Sequence, residues 1–336
     1  MPSQTAASDL YRLIDAYKVT QAIHVAAVLG IADHIAAGLR TSQTIAEAAG
    51  AHPAALYRLL RALAAIGVLR EDEDRRFSLA PMGETLRSDA AQPLGPFATL
   101  TGQDYYWQTW GHLLHSIKTG ENAFEAVHGV GSWTYRDQHP DQDAIFNLAM
   151  TANATLVDPA IVEAVDFDGF GRLADIGGGQ GSLLIAILRA CPHVRAVLFD
   201  RPSVVASARS VLAAARLDAR CELASGDMFE SVPAGCDAYL LKFVLHDWTD
   251  DEAGRLLRVC RRAMASGARL FVVERLIGDP NSQLAAALSD LNMLVGPGGR
   301  ERTAEEFAAL FKAADLRLDH VVATRRDLSV IVGEPT

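Results

Sequence analysis

Along the second half of the chain, strand-like runs of four to eight residues, most of them apolar, recur between amphipathic stretches. Those runs predict strands at 172–176, 195–200, 221–224, 237–242, 269–274, 316–323 and 328–333, with helices between them. Alternating strand and helix of this kind builds an open, mostly parallel α/β sheet that binds ligands at the carboxyl ends of its strands. The first half reads differently. Ala22, Ile23, Ala26 and Ala27 lead to Gly30-Ile31 at helical spacing, and the small residues favour close helix packing, including packing across a dimer. Thr44 and Glu47 read as a capping box for a helix that Gly50 ends. Pro53 starts a second helix, with Leu56, Leu59, Leu60 and Leu63 on one stripe. Residues 67–70 and 77–79 flank the acidic turn Glu71–Asp74 as a two-stranded wing. Two helices followed by a wing predict a winged-helix domain over 1–100. A helical, aromatic-rich connector is expected over 101–155 and a ligand-binding domain over 156–336.

Winged helices often read DNA. Between Thr41 and Ala90, however, six basic residues face seven acidic ones, and the wing tip is acidic. The whole chain carries 31 basic and 41 acidic residues, a net charge of −10. A nucleic-acid or anionic-membrane partner requires a concentrated basic surface, so neither is expected. No apolar stretch approaches 18 uninterrupted residues, and the N-terminus lacks the zones of a signal peptide. Cys191, Cys221, Cys236 and Cys260 form no C-x-x-C pair. The expectation is reduced thiols in a cytoplasmic protein, with no metal site.

The candidate chemistry lies at strand ends. Asp175-Ile-Gly-Gly-Gly-Gln-Gly181 is a glycine-rich turn between a strand and a helix, the form of a nucleotide-binding loop. Asp200 ends the next strand 25 residues after Asp175, about the spacing at which an acid meets ribose hydroxyls. Two cofactor classes compete. The glycines read G-x-G-x-G rather than G-x-G-x-x-G and follow an acid, which resembles the first motif of S-adenosylmethionine (SAM) methyltransferases more than an NAD site. Asp227 and Met228 follow the third strand, suited to an adenine amino group and ring. His246-Asp247-Trp248 follows the fourth, and imidazole is the side chain best suited to take a proton near neutral pH. Glu274 ends the fifth strand and Glu301 lies in Gly298–Thr303. These two carboxylates would hold the imidazole in one tautomer, or Glu301 pairs only with a neighbouring arginine.

Together these segments resemble the small-molecule O-methyltransferases of the plant caffeate and hydroxyindole type and their bacterial polyketide-tailoring relatives. The resemblance spans nearly the whole chain. It runs through Phe146–Met150, Asp175–Gly181, Phe199–Pro202, Gly226–Phe229, Leu241–Trp248, Asp290–Leu294 and Gly298–Thr303. It implies a Rossmann-like class I methyltransferase sheet behind a winged-helix dimerisation domain, acting as a homodimer on an aromatic acceptor with SAM as cofactor. Gly177 and Gly179 would pass the methionine part and Asp200 would bind the ribose. Asp227 and Met228 would hold adenine, with Asp175, Arg201 and Lys242 also at the cofactor. His246 would be the base, flanked by Glu274 and Glu301. Asn147, Met150, Asp247, Asn292 and Met293 would line the acceptor pocket. Bacterial relatives that keep this scaffold for hydroxylation or decarboxylation leave a second chemistry open.

Overall fold

The computed structural model describes residues 5–336, which divide into two compact units. One comprises the chain up to Gln108 together with Asp141–Thr155; the other comprises Thr109–Pro140 and Leu156–Thr336. The segment 101–155 is therefore shared between them.

In the first unit, helices Ser42–Ala49 and Pro53–Ala65 precede an antiparallel wing of β1 (Leu69–Glu71) and β2 (Phe77–Leu79). Ile31, Ile35, Ile45, Leu56, Leu60, Leu63 and Phe77 form its core. The first of these helices starts earlier than the sequence reading placed it. Thr41, not Thr44, is the extended residue at the helix start, and its hydroxyl accepts from Thr44 N at 3.2 Å. Thr44 completes the box from inside the first turn, while Glu47 accepts from Gln43 instead. A cap residue needs an extended backbone, and Thr44 is already helical. Gly50 ends the helix in the left-handed region, as expected.

The second unit holds seven strands: β3 (Arg172–Ile176), β4 (Arg195–Asp200), β5 (Cys221–Ser225), β6 (Ala238–Lys242), β7 (Arg269–Glu274), β8 (Leu316–Ala323) and β9 (Ser329–Pro335). Their order is β5-β4-β3-β6-β7-β9-β8, with β9 antiparallel to both neighbours and the rest parallel. All seven lie where the apolar runs predicted them. Side chains alternate between two cores, as the period of a strand requires. Leu173, Leu198, Leu240 and Val273 enter one, while Ala174, Val197, Tyr239 and Val272 enter the other. Both faces are thus covered by helices, which is why the parallel strands read as continuous apolar runs. The strand order reverses between β3 and β6. That switch point opens a crevice at the carboxyl ends, where the glycine loop and the His246 turn both emerge.

The 25-residue helix Pro140–Ala164 is long and apolar enough, by composition, to cross a bilayer. It is nonetheless packed in protein through Ala149, Ala152, Ala154, Val157 and Ile161, and it carries a buried Asp158. A different apolar surface is open. Helix Ala6–Asp15 buries none of its residues, and Leu10, Tyr11, Leu13, Ile14 and Tyr17 are all more than half exposed. An exposed apolar face of this size marks an association surface. Light scattering of the full chain at micromolar concentration is expected to give a dimer mass, and a stable monomer there would refute this assignment of the face.

Candidate active site

The loop after β3 is built by close packing. Gly177, Gly179 and Gly181 have φ of +70°, +58° and +83°, a region that side chains disfavour. A Cβ on Gly177 would stand 2.8 Å from Val244, and one on Gly181 would stand 2.8 Å from Leu198. Gly179 differs, because a Cβ there meets nothing within 4 Å. The loop is therefore wedged against protein on both sides and open at its crest. Asp200 reaches that crest: its Oδ2 accepts from Gly179 N at 2.8 Å and its Oδ1 from Arg201 N at 2.7 Å.

Beneath the loop, Asp175 is almost wholly buried. Burial pushes its pKa up to about 7, helped by Asp158 and Asp200 and opposed by Lys242. Lys242 Nζ pairs with Asp158 at 2.6 Å. Asp227 is exposed, its Oδ1 accepting from Phe229 N at 2.8 Å, and Met228 packs against the sheet core. Arg201 pairs with Asp137 at 2.5 Å and lies over the ring of Trp133.

The fourth strand leads to the densest cluster. His246 Nδ1 lies 3.0 Å from Glu301 Oε1 and 3.2 Å from Glu274 Oε2, with all three side chains buried. The hydrogen bond goes to Glu301. Glu274 Oε2, with no hydrogen-bond partner of its own, contributes charge. Glu274 Oε1 accepts from Val244 N and His246 N, which pins the turn to the end of β7. Nε2 is 3.7 Å from Asp247, too far for a hydrogen bond. The ring is therefore held at Nδ1 and open at Nε2. Burial alone would lower the imidazole pKa, but Glu274, Asp247 and Glu301 outweigh it and push it up to about 10. Burial raises Glu274 to about 7, whereas the bond from His246 keeps Glu301 below its usual value against burial. The three donors are close enough to meet at one cation. A hydrogen on Nδ1, donated to Glu301 Oε1, would account for the same spacing as a hydrogen-bonded ion cluster.

Spacing alone did not single out the residues that hold this cluster. Phe243 has φ +56°, an outlier for a bulky side chain, and its ring stacks on His246 at 5.5 Å. Strain stored beside a site in this way fixes its geometry. Arg302 is fully buried and donates to Leu245 O, Trp248 O and Asp250, each at 2.8 Å. The reading in which Glu301 pairs only with an arginine does not hold: its carboxylate bonds are to His246 and to Ser289 Oγ, the latter at 2.6 Å. No local pattern marks Ser289, a single hydroxyl on the apolar helix Leu284–Val295. Asn292 on the same helix accepts from Trp110 Nε1 at 3.1 Å, and Met293 is buried. Asp247 is half-buried, and burial raises its pKa against the pull of His246 and Arg136. Asn147 and Met150 lie on Pro140–Ala164, within the first unit, half-buried, with Asn147 donating to Asp143.

The chain is similar to known proteins over nearly its whole length. The O-methyltransferase domain family matches residues 110–317, and the O-methyltransferase dimerisation domain matches 11–89. A phenazine O-methyltransferase from Lysobacter antibioticus is 40% identical over 98% of this chain and 96% of its own length. A mitomycin biosynthesis 6-O-methyltransferase from Streptomyces lavendulae is also 40% identical, over 89% of this chain and 86% of its own. The crystal structure of LaPhzM superposes with a TM-score of 0.96 at 39% identity, covering 99% of this chain and all of that one. An O-methyltransferase from neocarzinostatin biosynthesis, solved with S-adenosylmethionine and 2-hydroxy-5-methyl naphthoic acid, gives 0.81 at 33% identity over 95% and 96% of the two chains.

The buried Asp175 makes a prediction about pH. Its pKa is raised on folding, so the folded state favours the protonated form. Its contribution to stability is best below its unfolded value near 4 and declines as pH rises towards about 7, above which the full penalty persists. Asp175→Asn is therefore expected to raise the melting temperature relative to the parent more at about pH 8 than at about pH 4. An equal change at both would show that the carboxylate is not charged at a cost.

Proposed function

This chain belongs to the O-methyltransferase family, and on that premise we propose that it methylates a phenolic hydroxyl of an aromatic or polyketide-type small molecule, with His246 as the base. It is an S-adenosylmethionine-dependent enzyme, and that cofactor supplies an electrophilic methyl group when bound. The loop suits it. The open crest at Gly179 lets a ligand approach the backbone, and the acids Asp158, Asp175 and Asp200 outnumber Lys242, a balance that favours a cation. Asp200 would hold the ribose, Asp227 and Met228 the adenine, and Gly177 and Gly179 the methionine part. Asp175, Arg201 and Lys242 would support them.

The observation that carries the base assignment is the asymmetry of His246. Nδ1 faces two buried carboxylates and keeps its hydrogen, so Nε2 is left as the proton acceptor. Glu301 orients the ring and Glu274 supplies charge that stabilises the imidazolium once it forms. Val244, which abuts Gly177, ties this turn to the glycine loop, so the base and the cofactor loop are positioned by one contact. Asn292, Met293 and Asp247 would line the acceptor pocket. Their mixture of amide, thioether and carboxylate suits a flat aromatic bearing polar groups. The names of the relatives, a phenazine O-methyltransferase, a mitomycin biosynthesis 6-O-methyltransferase and a dihydroxynaphthoate 7-O-methyltransferase, support that acceptor class. One relative at 38% identity is an N,N-dimethyltransferase, so product analysis must locate the methyl group. The enzyme would work as a cytoplasmic homodimer, in keeping with its dimerisation domain and four free, buried cysteines, without nucleic acid or membrane.

An imidazole ordinarily ionises near neutrality, and the carboxylates around His246 move that upward. The activity of the parent should accordingly keep rising above neutral pH as imidazolium loses its proton. On a panel of hydroxylated naphthoates and phenazines, mass spectrometry is expected to find an addition of about 14 Da, the mass of a CH₂ unit, rather than 16 Da. His246→Ala should lower kcat by about 10²–10⁴-fold, with SAM affinity close to the parent's and the rising limb gone. Near-parental turnover in that variant would remove His246 from the base role. Asp200→Ala tests the cofactor site separately: calorimetry should show SAM affinity lower by roughly ten- to a hundredfold, the scale of a lost charged acceptor. Unchanged binding would overturn the ribose assignment.

A further inference from the structure

We propose that Ser289 is a positioning residue for the base: from the helix that carries Asn292 and Met293, its hydroxyl orders Glu301 and, through Glu301, the proton on His246. The inference rests on the reading of His246 as base. Three observations carry it. Ser289 Oγ donates to Glu301 Oε1 at 2.6 Å, the same oxygen that accepts from His246 Nδ1 at 3.0 Å. Glu301 Oε2 is buried without a hydrogen-bond partner, so both hydrogen bonds to the carboxylate converge on one atom. The main chain is held as well, with Glu301 N donating to Asp290 Oδ1 at 2.9 Å. Two successive residues of Leu284–Val295 therefore fix Glu301, one through its side chain and the other through its backbone.

Rotation of a buried carboxylate is decided by its donors. Among the described residues, Ser289 and His246 are the two that donate to this one. With the hydroxyl in place, Oε1 faces Nδ1; without it, nothing but the imidazole itself sets the angle. Ser289 and Asn292 stand three residues apart and share a helix face. A displacement of that face would move the orienting carboxylate with the acceptor-lining side chain. The helix would thus couple acceptor contact to base geometry.

The hydroxyl also withdraws charge. A carboxylate oxygen that accepts two hydrogen bonds is less basic than one that accepts a single bond. Removal of Ser289 leaves Oε1 to grip Nδ1–H harder, so the imidazole keeps its proton to higher pH. The other charged groups around the pair stay in place: Glu274 and Arg275 from the end of β7, Asp247 from the His246 turn, and Arg136 from helix Ser132–Gln138.

The test is a pH titration of His246 in the full chain labelled with ¹⁵N-histidine, read by NMR, with the His246 signals assigned by their loss in His246→Ala. Ser289→Ala is expected to move the midpoint upward by several tenths of a pH unit to about one unit, with calorimetric SAM affinity unchanged. Ser289→Thr, which keeps the hydroxyl, should return it to the parental value. A merely structural role would shift neither midpoint. A Ser289→Ala titration that overlays the parent's, or a Ser289→Thr variant that shifts as far as the alanine one, would overturn the proposal. If Ser289→Ala does not fold, Ser289→Cys replaces it, since a thiol keeps the volume but donates weakly, and the same upward shift is expected. The titration needs no acceptor, so its failure leaves the base assignment standing, while that assignment falls only on the turnover of His246→Ala.

Discussion

Everything at this site depends on burying an imidazole between two carboxylates. A charge taken out of water is costly unless it is both paired and hydrogen-bonded. Glu274 meets that condition through two backbone N–H groups of the very turn that carries His246. Glu301 meets it through the imidazole and a serine hydroxyl. Each carboxylate is thus paired with a piece of the structure it helps to hold. Removing one partner would leave the others unpaired in a dry interior, so the cluster behaves as a unit.

The sheet makes such burial possible. β6 and β7 are adjacent and parallel, and Lys242, the last residue of β6, stands opposite Val273, one residue before β7 ends. The His246 turn leaves one strand while Glu274 closes the other, so a turn and its counter-charge arrive together. β3 lies on the other side of β6, and its glycine loop comes to rest against Val244 of the same turn. Parallel pairing therefore aligns three chemically different strand ends at one level. The positive φ of Phe243 is a cost of turning the chain sharply enough to keep them there.

Much of this was legible in the sequence, for reasons that also mark where legibility stopped. Strands β3, β4, β6, β7 and β9 could be placed because strands buried on both faces read as apolar runs, whereas the outer strands β5 and β8 are partly exposed and mix in polar residues. The glycine loop, Asp200, His246, Glu274 and Glu301 could be found because each sits at a strand end or in a short motif. Thr41 and Thr44 are hard to tell apart in the sequence because both offer a hydroxyl, and only backbone angles say which one stands outside the helix. Ser289, Asp158 and Arg302 carry no signal in the sequence for a different reason. Each acts across a gap of 12 to 84 residues, on a partner brought near only by the finished fold. A lone serine among alanines and leucines has no periodicity to betray its partner.

Arg302 grips the His246 turn through main-chain carbonyls at Leu245 and Trp248, and Arg300 N donates to His246 O. Gly299 lies so close that a Cβ there would stand 2.0 Å from that same oxygen. None of these contacts reads a side chain of the turn. The backbone frame thus seats the turn without itself selecting the residue at position 246, whose side chain Glu274 and Glu301 read. The demand for an imidazole there comes from the two carboxylates, so an altered residue 246 would keep its backbone seat while leaving two buried acids without their shared counter-charge.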